Sequence, residues 1–280
     1  MSAPTLSRRE RLRLQTLDEI KQHALAQVAE GGGAALSLNA IGKAMGMSGP
    51  AIYRYYASRE ELLAALVTDG YGELAAAVVE TAAATSRRAP ARRLAAVAQA
   101  YRAWALANPY RYELLFSIRP EGYQDPGEAI LSLDGAMRVL LELIGTLAGD
   151  ADRAPRGGRL DDQLLAWARL RADAAGSADG EAAGPQDGDA AGTRAGDAAG
   201  THAGDAAGTR AGDAAAGIGG DGATAPLVLR LGVLTWTRIH GVISLELAGI
   251  AADMGLDGRL LIDAEIDAVV AAATAAGREG

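Results

Sequence analysis

The stretch that decides the fold is LSLNAIGKAMGMSGPAIYRYYASREELL, residues 36–63. Ser37 stands where an N-cap belongs, and Leu38, Ile41 and Met45 follow it at the three- and four-residue spacing of a helix. Gly46 supplies a tight turn and Met47 an apolar plug for it. Ser48 then caps a second short helix with Pro50 in its first turn. Two short helices joined by a glycine-containing turn are the pattern of a helix-turn-helix. In that arrangement the second helix enters the DNA major groove by its N-terminal residues and the first crosses the backbone.

The second helix has side chains suited to that task. Pro50 and Ala51, next to Gly49, are small and let the backbone approach base edges and a thymine methyl. Tyr53 and Tyr55 carry hydroxyls that donate to phosphates, as does Ser48 from the helix start. Arg54 reaches a base edge or a phosphate, and Arg59 opens the next helix where it can grip the same backbone. Ser37, Asn39 and Lys43 of the first helix complete the expected DNA-binding set. Ile52 and Tyr56 read as inward anchors of a small three-helix core.

Outward from this stretch the periodicities remain helical. Residues 8–30 predict a helix with Leu17, Ile20, Ala24 and Val28 on one side, ending at Gly31-Gly32-Gly33; 38–45 and 49–56 are the two short helices. Ser58, followed by Glu60 and Glu61, caps a long helix to about residue 85, with Gly70 and Gly72 as points of weakness or bending. A helix after Pro90 stops at Asn108-Pro109, and others are expected over 110–117, 127–148, 160–174, 226–250 and 260–275. No segment reads as a strand. The fold expected is all-α: a helix-turn-helix domain over 1–57, then a helical bundle built from 58–148 and 226–280.

Between the two bundle parts, residues 149–225 differ in composition. TRAGDAAG at 193–200 is followed by THAGDAAG at 201–208 and TRAGDAA at 209–215. These units offer nothing larger than Ala to bury, too little to offset the entropy of ordering their backbone. Residues 176–225 are therefore expected to be a disordered, low-complexity insertion.

Composition narrows the function. The 280 residues are 49% hydrophobic but only 4% aromatic, which favours helices over a β-sandwich, and none is Cys. Disulfide scaffolds, cysteine-ligated metal sites and cysteine nucleophiles are excluded. The N-terminus lacks an apolar signal core, and Leu227–Ala252 is interrupted by Arg230, Arg238, His240 and Glu246. A soluble, cytoplasmic protein without membrane partners is expected. The net charge of −8 is unevenly placed. Residues 1–60 hold eight Lys and Arg against five acids, leaving 19 against 30 in the remainder. A basic head on an acidic body is compatible with a phosphate partner because only the local field meets it.

Residues 36–63 resemble the DNA-binding signature of the TetR family of bacterial transcriptional regulators. The resemblance lies in Ile41-Gly42, Gly46-Met47-Ser48, Ile52-Tyr53-Arg54-Tyr55-Tyr56 and Arg59-Glu60-Glu61-Leu62, and extends to Ile20, Ala24 and Gly32. Gly42 stands where Ala is usual, Tyr55 where His is frequent, Tyr56 where Phe is frequent and Arg59 where Lys is common. Asn108-Pro109-Tyr110 with Leu115-Phe116, and Trp236 with His240-Gly241, are similar to the WHG-type ligand-binding domain of some TetR-like regulators. The resemblance implies a homodimeric repressor, released from double-stranded operator DNA by a small, mainly hydrophobic effector.

Candidate effector contacts are Tyr101, Trp104, Tyr110, Phe116, Met137, Trp236 and His240, which serve either as helix-packing core or as pocket wall, since sites between bundle helices are a default for apolar ligands. Leu229, Val233, Ile243 and Leu247 fall on a seam alternating in fours and threes and are expected at the dimer interface, by that pattern and by the resemblance. Two other readings stay open: an activator of the same fold, and a helical protein that sequesters a small molecule without binding DNA.

Enzyme chemistry has no support. His23 lies in the head, His202 in the repeat and His240 on an apolar seam, and no constellation of acid, base and nucleophile accompanies them. Three scattered histidines do not make a metal site, and no cofactor is expected. Gly70-Tyr71-Gly72-Glu73-Leu74-Ala75 satisfies a dinucleotide pattern on paper but lies within a helix with no strand before it.

Overall fold

The computed structural model describes residues 7–116, 125–149, 158–182 and 225–279, and all regular structure among them is helical. At the start of α1 (Arg8–Gly31) the Ser7 hydroxyl accepts from the Glu10 amide at 3.2 Å, while the Ser7 amide donates to the Glu10 carboxylate at 2.8 Å. This reciprocal cap satisfies donors that every helix start leaves open. The helix buries Ile20, Ala24 and Val28 on one face and ends at Gly32, whose φ of 67° suits glycine.

A single core joins that face to α2 (Leu38–Ala44), α3 (Gly49–Ile52) and the first turns of α4 (Arg59–Ala84). Leu36, Leu38, Ile41, Ile52, Tyr56, Leu62, Leu63 and Leu66 are its buried members, with Met47 packed partly against them as the expected plug. Ser37 caps α2 by accepting from the Ala40 amide at 3.3 Å, and Ser58 caps α4 by accepting from Glu61 at 3.1 Å. Gly46, at φ 65°, makes the turn between α2 and α3. The second helix is shorter than the 49–56 expected: after Ile52 the chain closes into turns, with the Tyr55 and Tyr56 amides donating to the Ile52 carbonyl at 3.0 and 3.3 Å. That tightening brings Tyr56 into the core.

Gly42 faces Ile52 across the α2–α3 crossing, and a Cβ there would lie 3.4 Å from the Ile52 Cβ, an ordinary contact. Glycine in a helix interior costs about 1 kcal/mol relative to alanine. Gly42→Ala is therefore expected to raise the unfolding free energy by about 1 kcal/mol, read as a higher midpoint in urea. A lower midpoint would mean that the crossing has no room.

Beyond the head, α4 continues without a break and buries Val67, Gly70, Tyr71, Leu74, Val78 and Ala82. At Gly70 a Cβ would sit 3.2 Å from Leu115 Cδ2, so the missing side chain admits α6 (Pro109–Phe116). By length and composition α4 could cross a membrane, but Leu62, Leu63, Leu66, Val67, Tyr71, Leu74 and Val78 are buried within the fold, so it is a core helix. It packs against α5 (Pro90–Ala107), α6 and α7 (Gly127–Ala148), and α11 (Gly258–Glu279) packs against α5 and α7. The last helix buries Ile262, Ile266, Val269 and Ala273 at spacings of four and three.

The chain divides into two compact units, residues 1–151 with 231–280, and residues 152–230. The second unit holds α8 (Arg159–Ala182), where a helix over 160–174 is expected, and the first turn of α9 (Pro226–Leu247). Within it Asp161, 2% exposed, accepts from Arg230 Nε at 2.8 Å, which compensates the carboxylate for its lost water. Helix α8 takes in residues 176–182. The repeats at 193–215, with the disorder expected of them, lie outside the described residues. A short α10 (Ile250–Asp253) links α9 to α11.

Candidate nucleic-acid interface and apolar cavity

Exposed side chains of α2, α3 and the following turn meet on one part of the head. Asn39, Lys43, Ser48, Gly49, Pro50, Tyr53 and Arg54 are exposed, whereas Ala51 and Tyr55 are half-buried. The Tyr53 hydroxyl donates to Asn39 Oδ1 at 3.3 Å, which orients the ring between the two helices. Ser48 stands at the N-cap of α3 without a capping bond from its side chain, leaving the hydroxyl available to an outside acceptor. The Arg13 guanidinium lies over the Tyr55 ring, 6.0 Å from its centroid.

Two members of the expected set are engaged elsewhere. Arg59 Nη2 donates to the Gly33 carbonyl at 2.6 Å, which ties the start of α4 to the loop after α1 instead of aiming the charge outward. Ser37 caps α2 with its hydroxyl, and its amide donates to Gln27 Oε1 at 2.8 Å. Both hold the scaffold beneath the exposed surface. The Arg13 contact with Tyr55 escaped the sequence reading, since arginines at 8–13 add charge without showing which neighbour they meet.

In the bundle, an apolar cavity is lined by Leu74 and Val78 of α4, Val97, Ala98 and Tyr101 of α5, Leu133, Ala136, Met137 and Leu140 of α7, and Trp236 and Ile239 of α9. Of the candidate effector contacts, Tyr101, Met137 and Trp236 are on this wall. His240 and Phe116 are adjacent: His240 stacks on Trp236 with centroids 5.3 Å apart and meets the Phe116 ring edge-on at 4.6 Å.

His240 Nδ1 faces two hydroxyls, Tyr112 at 2.9 Å and Tyr101 at 3.2 Å. As the unprotonated nitrogen of a neutral imidazole, Nδ1 has one lone pair to offer, so one hydroxyl takes it. Tyr112 has alternatives in the His240 carbonyl at 3.2 Å and Ser244 Oγ at 3.1 Å. Burial lowers the His240 pKa below its ordinary value, and burial raises those of Tyr101 and Tyr112. The neutral forms of all three therefore belong to the native network.

Other candidates fall elsewhere. Tyr110 is 49% exposed and takes no part in the cavity. Trp104 is buried and packs in the core, off the cavity wall, with its indole N–H lacking an acceptor among the described residues. Two of the four expected dimer-seam residues need correction. Leu229 and Ile243 are 1% and 0% exposed, so they are used within their own chain; Val233 and Leu247 are half-buried. The seam that carries Trp236 and His240 faces α5, α6 and the cavity, because a three-and-four spacing reports a packed helix face but not whose helix covers it. The aliphatic wall residues were missed: an ordinary Leu or Val carries no mark of a cavity. Among the described residues no group of three or more His, Asp or Glu is placed to hold a metal.

Residues 20–66 match the family described as bacterial regulatory proteins, tetR family, and residues 94–195 match the tetracyclin repressor-like C-terminal domain. The HTH-type transcriptional regulator Rv1816 of Mycobacterium tuberculosis is 40% identical over 100 residues, covering 36% of this chain and 43% of that protein. The chain thus matches less than half the length of this relative. The crystal structure of SCO4313, described as a regulatory protein, superposes with a TM-score of 0.63 at 32% identity, covering 94% of this chain and 98% of the other. A protein of unknown function from Rhodococcus sp. RHA1 shares the fold, with a TM-score of 0.55 at 16% identity over 91% of this chain and 94% of its own.

Proposed function

Because the chain belongs to the tetR family of bacterial transcriptional regulators, and so to a non-enzymatic class, we propose that it is a homodimeric repressor released from a pseudo-palindromic operator by a small, mainly hydrophobic effector. The observation that carries this reading is the continuity of α4. Its first turns place Leu62, Leu63 and Leu66 in the core of the head, and the same helix supplies Leu74 and Val78 to the cavity wall. A ligand that prefers one position of that wall shifts the head with it, and it acts only through its difference in affinity for the two positions.

The cavity supports an apolar effector because the one hydroxyl among its described lining residues, that of Tyr101, already faces His240. The stacking of Trp236 on His240, followed by Gly241, supports a WHG-type reading of the C-terminal domain. Two heads presenting α3 to successive major-groove faces need a spacing of about 34–36 Å, one turn of DNA. Val233 and Leu247, with Leu245 and Leu260 at 43% and 65% exposed, supply apolar surface for the two-fold interface.

The test is binding of the purified chain to DNA from upstream of its own gene, at several salt concentrations, beside unrelated DNA. Tighter binding to the upstream DNA, weakening steeply with salt, is expected. Tyr53→Ala should reduce the affinity while leaving the dimer intact in sedimentation. Equal affinity for both DNAs, in wild type and variant alike, would overturn the reading of this surface.

A further inference from the structure

The face by which α1 enters the head extends past the core. Ile20, Ala24 and Val28 are buried and Leu17 packs partly beside them. Counting back along the helix, Arg13 precedes Leu17 by four residues and Arg9 precedes Arg13 by four. Arg9, Arg13, Leu17, Ile20 and Ala24 therefore share one stripe. Its apolar members fill the core, whereas Arg9 and Arg13 are exposed. Arg9 lies roughly 16 Å along the axis from Ile20, at 1.5 Å rise per residue. The Arg13 guanidinium lies over Tyr55, two residues after the exposed Tyr53. The stripe thus runs from the core of the head to the side on which α3 and its following turn present their side chains.

Positive charge is in excess there, with four arginines against one acid over residues 8–13. The acid within the run, Glu10, is held by the Ser7 amide in the cap. Two other cations of the head are engaged: Lys21 pairs with Asp69 at 2.6 Å, and Arg59 donates to Gly33. Among the described residues Arg8, Arg9, Arg11 and Arg13 form no ion pair, and all four are exposed. Four exposed guanidiniums on two helical turns, one of them stacked on a residue of the DNA-facing turn, are arranged for phosphates.

We propose that the first two turns of α1 are a third DNA-contacting element, in which Arg9 and Arg13 bind backbone phosphates beside those reached from α2 and α3. The inference rests on the DNA-binding reading above and adds a surface to it. These contacts carry no base sequence, so they strengthen binding to every duplex alike.

The test titrates the full chain and an Arg9→Ala/Arg13→Ala variant with a labelled random-sequence duplex over a range of salt concentrations, since such binding is carried by phosphates. Both side chains are exposed, so an unchanged melting temperature is expected. The slope of log K against log salt should fall by about 2 in the double variant, close to 0.9 per lost phosphate contact. An Arg9→Lys/Arg13→Lys variant should restore most of it. An unchanged slope in the alanine variant would overturn the inference while wild-type binding upheld the DNA reading. A loss confined to the upstream DNA, without a change of slope, would also overturn it and leave Arg13 as a support for Tyr55. Wild-type protein that bound no duplex would remove both.

Discussion

Ile52→Ala should abolish specific DNA binding and lower the stability of the chain by about 2–5 kcal/mol, the range for truncating a well-packed isoleucine. Ile52 is fully buried and packs against the bare face of Gly42, where α2 and α3 cross. The same core holds Ile20 and Ala24 of α1, Ile41 of α2 and Leu62 of α4. The chain closes its turn on this residue too, since the amides of Tyr55 and Tyr56 both donate to its carbonyl. A cavity at the crossing therefore loosens the segment that presents Tyr53 and Arg54. Domains are stable by only about 5–15 kcal/mol, so a loss of this size is a large fraction of the whole. Ile52→Val should cost only about 0.5–1.5 kcal/mol and keep binding. Urea unfolding with a DNA titration of each variant checks this. Wild-type midpoint and affinity in the alanine variant would show that the head does not depend on this core.

The head was legible in sequence because each of its parts needs a particular residue type. Gly46 adopts a positive φ, Ser37 and Ser58 accept from helix amides, and Ile52 and Tyr56 fill the core, all as their chemistry demanded. The body was legible only as helices. A four-and-three seam from Leu229 to Leu247 is the same string whether a partner chain or a neighbouring helix covers it, and burial of Leu229 and Ile243 decides for their own chain. Arg59 illustrates the same limit at shorter range. Its charge and position fit a phosphate, yet the carbonyl of Gly33, distant in sequence, takes its guanidinium. The cavity was least legible. Its wall is mostly Leu, Val and Ala, and only Tyr101, Met137 and Trp236 carried any signal.

His240→Phe should cost about 1–3 kcal/mol at neutral pH and remove a pH dependence of stability. Phenylalanine keeps a ring to stack on Trp236 and meet Phe116, so the comparison isolates the nitrogen. Without Nδ1, the hydroxyls of Tyr101 and Tyr112 compete for acceptors that served Tyr112 alone, in a place where Tyr101 is 6% exposed. A buried hydroxyl left without its acceptor keeps its desolvation cost, which sets the magnitude. The pH argument follows from the lowered His240 pKa, caused by burial. The unfolded chain takes up a proton near pH 6.5, where the folded chain does not. Stability is therefore full above about pH 6.5, falls as the pH drops below it, and reaches its floor below the folded-state pKa. Phenylalanine takes up no proton in either state, so the variant should lose this contribution. Unfolding free energies of both proteins between about pH 5 and about pH 8 are the measurement, spanning the ordinary histidine range. If the variant fell as steeply as the wild type across that window, the proton would belong to another group and the network around His240 would be no more than packing.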